Sequence, residues 1–138
     1  MEEDVSEDGT VGGGADSGED GESAMNMMIE VSGQTFVVEL EDNDCARAFV
    51  AMLPTTLSME ELNGNEKYCY LDESLPSSPE AVGEIRAGDV MLFGNDCVVV
   101  FYQSFQTPYT YTRIGHIDDT ACLAEALGQG SAEVTFSL

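Results

Sequence analysis

Basic side chains are scarce in this chain. Its 138 residues include 27 acidic side chains but only four lysines and arginines, which gives a formal net charge of −23 at pH 7. Sequence-independent binding of DNA or RNA requires a positively charged surface, because the phosphate backbone must be neutralised. We therefore expect no nucleic-acid partner for this protein.

Long apolar runs are also missing. The longest strongly apolar run covers only residues 97–102, whereas a membrane-spanning helix needs about 20 apolar residues. We therefore expect no membrane insertion. Because 43% of the residues are apolar, the chain can still bury a hydrophobic core of the size that one small domain needs.

Metal-binding and redox signatures are absent from the sequence. The chain has a single histidine, His116, and no Cys-x-x-Cys pair, so a zinc site of the usual spacing is not expected. We predict neither a metal nor a cofactor. The cysteines all lie in apolar stretches and are expected to be reduced, buried thiols, which favours a cytoplasmic location. They are Cys45, Cys69, Cys97 and Cys122.

The charge is concentrated near the amino terminus. Residues 1–24 contain nine carboxylates, six glycines and no basic residue, and such a segment cannot bury enough apolar surface to offset its ordering entropy. We predict a disordered acidic tail over residues 1–24 and one folded domain over residues 25–138. The tail lacks the basic and apolar regions of an export signal. The alternative is an envelope-tethered extracytoplasmic domain, if an export signal precedes Met1.

Frequent turn signals predict a chain of short strands. Asn63-Gly64 is the strongest hairpin signal, and Ser32-Gly33 is a second. Residues 72–86 lack periodicity and read as a long irregular loop, a type of segment that often carries function. About eight strands linked mostly by hairpins favour a closed barrel over an open sheet. The predicted strands are 27–31, 34–40, 55–62, 66–71, 89–93, 97–103, 109–117 and 132–136.

Two short helices are predicted to close the ends of this barrel. The first has an apolar stripe from Cys45 to Leu53, with Asn43 or Asp44 as its N-cap. The second spans residues 123–127, with Asp118 or Asp119 as its N-cap and Gly128 at its end. The fold class predicted from the residues is therefore mainly β, a closed barrel of about eight strands capped by two short α-helices.

The order of elements and several local stretches resemble the cyclophilin fold. The similarity covers residues 26–137, and it is closer to the small bacterial cyclophilin-like proteins. For these, residues 61–68 and 109–115 look typical. The other stretches that carry the resemblance are Ala46-Arg47-Ala48-Phe49, residues 88–94 followed by 98–102, and Arg113-Ile114-Gly115-His116-Ile117.

The resemblance also implies an activity that the residues do not support. Cyclophilins are prolyl isomerases that use an arginine on the strand after the first helix, together with a Phe-Met-x-Gln motif. Here residues 55–62 contain no arginine and end in Glu60-Glu61, and the motif is absent. The proline-pocket aromatic and the histidine expected near the closing glycine fall near Val100 and Tyr111. An ionised carboxylate cannot donate a hydrogen bond to a twisting amide, so the prediction leans against an enzyme.

An aromatic ladder is the candidate binding site. Tyr68 and Tyr70 alternate along one strand, and Tyr109, Tyr111 and Arg113 alternate along another, so each set shares a face. Aromatic faces beside an arginine suit a peptide, an aromatic ring or a carboxylate. The alternative is cross-strand pairing on a barrel wall, with Arg113 neutralised by a carboxylate. The predicted ligand-binding residues are Tyr70, Tyr102, Tyr109, Tyr111 and Arg113.

The remaining polar groups are expected to be structural. His116 at a strand end is expected to be exposed or structural rather than to form a dyad with a cysteine. Adjacent carboxylates on a strand point to opposite faces, so the acidic pairs are expected to be solvated or to cap helices. These pairs are Glu60-Glu61, Asp72-Glu73 and Asp118-Asp119.

Three functional hypotheses remain at this point. The first, which the sequence favours, is a non-catalytic module that binds a small molecule or a peptide. The second is a weak prolyl isomerase that acts through binding strain and desolvation. The third is a structural or assembly role. The sequence leaves the ligand and the oligomeric state open.

Overall fold

The computed structural model describes residues 25–138, so the predicted acidic tail lies outside the described residues. The described chain contains two helices, α1 (Asp44–Val50) and α2 (Leu123–Leu127). Its strands are β1 (Asn26–Val31), β2 (Gln34–Leu40), β3 (Thr55–Leu62), β4 (Glu66–Tyr70), β5 (Glu80–Ala81), β6 (Glu84–Ile85), β7 (Asp89–Phe93), β8 (Cys97–Phe101), β9 (Phe105–Gln106), β10 (Thr110–Ile117) and β11 (Ala132–Ser137).

Eight of these strands form a closed antiparallel barrel. Their order around the barrel is β1-β11-β3-β4-β8-β7-β10-β2. The barrel closes because β2 pairs with β10 on one side, where His116 faces Glu39, and with β1 on the other. The predicted mainly-β barrel with two helices is therefore confirmed.

The barrel interior holds the main hydrophobic core, and α1 closes one end of it. Phe49 of α1 packs edge-on against Phe136 of β11, with ring centroids 5.2 Å apart, and both side chains are fully buried. Of the two predicted N-caps, Asn43 is the one observed, because its side chain accepts a hydrogen bond from the amide of Ala46 at 2.8 Å. Its Nδ2 atom also donates to the carbonyl of Arg113, which ties α1 to β10.

The predicted N-cap of the second helix is wrong. α2 begins after Cys122, which has a positive φ of 68° and makes no capping side-chain hydrogen bond. The Asp119 side chain instead accepts from the amide of Ala121 at 3.1 Å, in a turn before the helix. Cys122 is exposed in this turn and Cys69 is only partly buried, which corrects the expectation that every cysteine is buried. Gly128 ends the helix with a positive φ of 71°, as predicted.

A second apolar cluster lies outside the barrel wall. It includes Met91, Val99, Phe101 and Tyr111, and it packs beneath the segment that contains Ile85. Strand β8 is buried on both faces for this reason, which explains its unbroken apolar sequence. The predicted irregular loop also contains two short strands, because β6 pairs with β9 and β5 pairs with β10.

Candidate functional site

An open groove of about 400 Å³ lies on the outer face of the barrel, beside this second cluster. We call it the outer groove. Its lining comes from strands β4, β7 and β8, the turn between β3 and β4, and the segment from β9 to the start of β10. Its aromatic lining residues are Tyr68, Tyr70, Phe93, Phe105, Tyr109 and Tyr111, and its polar lining residues include Asn63, Asn65, Glu66 and Thr107.

The aromatic rings of the groove contact one another. Tyr68 and Tyr70 meet edge-on with centroids 6.1 Å apart. On the facing side, Phe93 lies 6.2 Å from Tyr109 and 5.7 Å from Tyr111. Such pairs fix the orientation of the rings. Tyr70 and Tyr109 nevertheless remain 62% and 60% exposed, so the aromatic surface is open to solvent.

The structure brings three of the five predicted site residues together in the outer groove, namely Tyr70, Tyr109 and Tyr111. Arg113 does not line it. Strand β5 pairs with β10 so that Glu80 stands opposite Tyr111, and the Glu80 carboxylate lies 3.3 Å from the Arg113 guanidinium. Arg113 borders a separate polar depression beside α1.

Tyr102 also lies away from the outer groove. Its ring packs against the barrel core, and its hydroxyl donates to Oε1 of Glu61 at 2.7 Å. Burial, followed by this hydrogen bond, raises the pKa of Tyr102 to about 12. Tyr102 is therefore a structural hydrogen-bond donor at the barrel end.

Sequence reasoning missed the buried cation beside Tyr102. Lys67 is fully buried, its Nζ lies 2.9 Å from Oε1 of Glu61, and it also donates to the carbonyls of Gly128 and Gly130. The β3–β4 register pairs Glu61 directly with Lys67. A two-residue turn at Asn63-Gly64 would pair Glu61 with Glu66, and the additional loop residue Asn65 shifts the register by one so that Lys67 stands opposite Glu61.

The position of Glu61 corrects its expected role as a solvated carboxylate. Burial raises the pKa of Glu61, but hydrogen bonds from Lys67, Tyr102 and the amide of Gly64 outweigh this effect. The pKa of Glu61 is therefore lowered overall, and the carboxylate stays ionised. Together with Lys67 it links the β3–β4 hairpin to the turn after α2.

Glu66 is the second functional candidate that sequence reasoning missed. It alternates with Tyr68 and Tyr70 along β4, so the period of two places it on the same face, in the outer groove. Glu66 is only 9% exposed. Burial, followed by the charge of Glu61, raises the pKa of Glu66. Beside it, the Oδ1 atom of Asn65 is buried without a hydrogen-bond partner.

The four basic residues of the chain all lie within the described residues and outside the outer groove. Lys67 is held within the barrel by Glu61, and each of the other three is paired with a carboxylate. Arg47 contacts Asp42 and Asp44, Arg86 lies 3.9 Å from Asp89, and Arg113 contacts Glu80. The groove that residues 25–138 form therefore has no cationic lining residue.

Nucleophilic and metal-based chemistry finds little support in the described region. His116 is bound to Asp89, with Nδ1 and Oδ1 2.7 Å apart. Burial raises the pKa of the Cys45 and Cys97 thiols to about 11 in each case, which disfavours their thiolate forms. Within residues 25–138, no three His, Cys, Asp or Glu side chains are grouped to hold a metal ion.

Comparison with known proteins gives matches at the level of family and fold. The model of the cyclophilin-like family matches residues 29–137. The solution structure of the hypothetical protein AF2241 from Archaeoglobus fulgidus is similar, with a TM-score of 0.55 and 16% sequence identity over 83% of this chain and 94% of that chain. No curated protein matches the sequence. In residues 25–138, no helix is long and apolar enough to cross a membrane.

Proposed function

Because the chain belongs to the cyclophilin-like family, we propose that it is a non-catalytic binding module that takes a small molecule or a short peptide in the outer groove. One observation carries this proposal. The groove presents exposed aromatic rings, yet the described residues that line it include no arginine or lysine that could act on a bound peptide bond.

The aromatic rings support binding. A volume of about 400 Å³ falls within the range of small-molecule sites, which are usually concave and lined by apolar and aromatic groups. Tyr70, Tyr109 and Phe93 are among the large side chains left exposed in the described region. Contact with a ligand would remove this apolar surface from water, which is favourable.

The absence of a cation among the described lining residues argues against catalysis. Isomerisation of a prolyl bond must cross a barrier of about 18–20 kcal/mol, and an efficient catalyst must stabilise the twisted amide more than the planar one. Glu66 is the charged residue that lines the groove, and an ionised carboxylate only accepts hydrogen bonds. Binding without transition-state stabilisation is the outcome that this lining supports.

The proposal is tested by NMR titration of the isotope-labelled full chain with a panel of aromatic fragments of different charge. We expect saturable shifts at the backbone amides of β4, β7 and β8. Tyr70→Ala and Tyr109→Ala should each weaken the binding of a fragment hit about tenfold, a loss typical of an aromatic binding residue. Tyr102→Phe and Arg113→Ala are matched controls outside the groove and should leave the affinity unchanged.

A structural or assembly role is the competing outcome of the same experiment. If no fragment shifts the groove amides, and light scattering shows a stable oligomer of the full chain, the binding proposal fails. Hits whose affinity falls with Arg113→Ala but not with Tyr109→Ala would move the site to the depression beside α1.

A cytoplasmic location is part of this proposal. The four cysteines are free, and the β4–β8 ladder pairs Cys69 with Val98 and Cys97 with Tyr70 rather than the two cysteines with each other. Thiols that persist in the reduced form are typical of the cytoplasm. Thiol alkylation of the protein in intact cells, followed by mass spectrometry, should show all four cysteines reduced. Disulfide-bonded protein would contradict this location.

A further inference from the structure

We propose that the outer groove binds an organic cation, an ammonium group carried by a small amine or by a lysine side chain, with Glu66 as its counter-charge and aromatic rings as its walls. This inference rests on the proposed binding function and specifies the chemistry of the ligand. It replaces the carboxylate, one of the three ligand types expected from the sequence, because that ligand depended on Arg113.

Glu66 is a mostly buried carboxylate in the wall of the groove. The residue is 91% buried, since its exposure is 9%, and it lines the groove. Its pKa is raised by burial and then by the charge of Glu61, with no hydrogen bond acting on the carboxylate. The carboxylate oxygens are not among the fully buried atoms that lack a partner, so they keep contact with the groove, and a mostly buried charge of this kind is normally paired. An ammonium group in the groove would supply the missing partner.

Aromatic side chains line the groove around this carboxylate. Tyr68 and Tyr70 follow Glu66 on the same face of β4, and Tyr111 lies close enough for the charge of Glu66 to raise its pKa, after the larger effect of burial. Aromatic faces attract ammonium groups through the ring quadrupole, and this attraction grows when water is removed. A buried acceptor with aromatic neighbours is therefore suited to an ammonium group.

Basic side chains of the protein do not compete with a ligand for Glu66, and the net charge of the chain is strongly negative. The four basic side chains, all in the described part of the chain, lie outside the groove and contact other carboxylates, so none of them neutralises Glu66. The chain as a whole carries a formal charge of −23. A field of this sign attracts cations and repels anions. Asn65, whose Oδ1 atom is buried and has no partner among the described residues, lines the same wall.

The test uses three probes that share one aromatic ring and differ in charge. They are 2-phenylethylammonium, 2-phenylethanol and phenylacetate, each titrated into the labelled full chain at neutral pH and low salt. We expect the ammonium probe to bind at the groove amides about tenfold more tightly than the alcohol, an energy difference of about 1.4 kcal/mol. Phenylacetate should bind more weakly than the alcohol.

Glu66→Gln is the diagnostic variant because it is close in shape and removes only the charge. It should reduce the affinity for the ammonium probe about tenfold and leave the affinity for the alcohol unchanged. Glu133→Gln removes the same charge from an exposed position on β11 and should change neither. A second readout does not depend on a variant: the ammonium probe should lower the pKa of Glu66, followed by carboxyl ¹³C shifts, whereas the alcohol should not.

The outcomes separate the ligand chemistry from the binding function. If the alcohol and phenylacetate bind the groove as tightly as the ammonium probe, the cation inference is overturned while the binding function stands. If no probe shifts the groove amides, both are overturned. A blocked Gly-Lys-Gly peptide and its Nε-acetylated form distinguish the source of the cation. Selective binding of the unmodified peptide indicates a lysine side chain, and selective binding of the small amine indicates a free metabolite; either result supports the inference.

Discussion

Lys67 and Glu61 face each other across the β3–β4 hairpin, with Nζ 2.9 Å from Oε1, and the lysine side chain has no exposed surface. Two carbonyls of the turn after α2 accept the remaining donors of the ammonium group. The lysine that follows Glu66 in the sequence is thus held on the opposite side of β4, where it points into the barrel. This arrangement leaves Glu66 as the charge that faces the groove.

Removal of Lys67 should destabilise the fold strongly. Lys67→Ala leaves two carbonyls without their donor and leaves Glu61 with only Tyr102 and the Gly64 amide as donors. Breaking a fully buried pair from one side costs about 3–5 kcal/mol, and the cost here should approach the lower end because the Glu61 side chain is 26% exposed. Urea unfolding measures this cost. Arg47→Ala is the matched control, because its ion pairs with Asp42 and Asp44 are exposed and should contribute little to stability. Equal effects of the two variants would contradict a structural role for the buried pair.

The carboxylate of Glu61 should stabilise the fold in a pH-dependent way. Its folded pKa is lowered below the ordinary value of 4.5, so its contribution is complete above that pH and is lost as the pH falls through the folded pKa. Glu61→Gln should therefore be less stable than the wild type at neutral pH, and the difference should shrink in acid. Urea midpoints measured from neutral pH down to pH values below 4.5 give this comparison. A difference that stays constant with pH would contradict the assignment.

The carboxylate of Glu66 should change the stability of the fold with pH in the opposite direction. Its folded pKa is raised above 4.5, so the folded state binds the proton more tightly and loses stability relative to the unfolded state as the pH rises through this window. Glu66→Gln should be more stable than the wild type at neutral pH, and the gain should vanish below the ordinary pKa of 4.5. Thermal unfolding at several pH values measures the gain. A loss of stability at neutral pH would show that the ionised carboxylate is satisfied within the protein.

Aromatic residues of the core and of the groove should differ in their effect on stability. Phe49→Ala removes a fully buried ring that packs on Phe136 and should cost about 3–5 kcal/mol. Tyr70→Ala and Tyr109→Ala remove rings that are 62% and 60% exposed and should change stability by only about 0.5 kcal/mol. Chemical denaturation of the three variants makes the comparison. A large loss in the tyrosine variants would assign these rings to the fold rather than to a ligand.

The barrel could be predicted well from the sequence because its signals are local. The Asn63-Gly64 turn, the Asn43 cap and the alternation along each strand depend on near neighbours, and all three are present in the structure. The cap of α2 was predicted wrongly because two acidic candidates precede a turn, and that turn delays the start of the helix to Leu123.

The candidate site was only partly predictable, because side chains that share a strand face need not share a surface feature. Tyr70, Tyr109 and Tyr111 meet in the outer groove, as expected from alternation. Arg113 continues the same alternation on β10. However, β5 pairs with β10 beside Tyr111, and Glu80 of β5 forms an ion pair with Arg113. That contact depends on the pairing of β5 with β10, and β5 lies in residues 72–86, a segment without periodicity. The burial of Glu66 likewise depends on tertiary packing. The alternation along β4 predicts only that Glu66 shares a strand face with Tyr68 and Tyr70.

The central claim, that the outer groove binds without catalysing, is tested most directly by two-dimensional exchange NMR on a blocked peptide that contains a Lys-Pro bond. The same samples report the cis/trans exchange of the peptide and the shifts of the protein. We expect the peptide to shift the groove amides of the wild type and of Tyr102→Phe but not those of Tyr109→Ala. We expect no increase in the cis/trans exchange rate of the peptide. Faster exchange that disappears in Tyr109→Ala would contradict our account, because the groove would then catalyse isomerisation without an arginine.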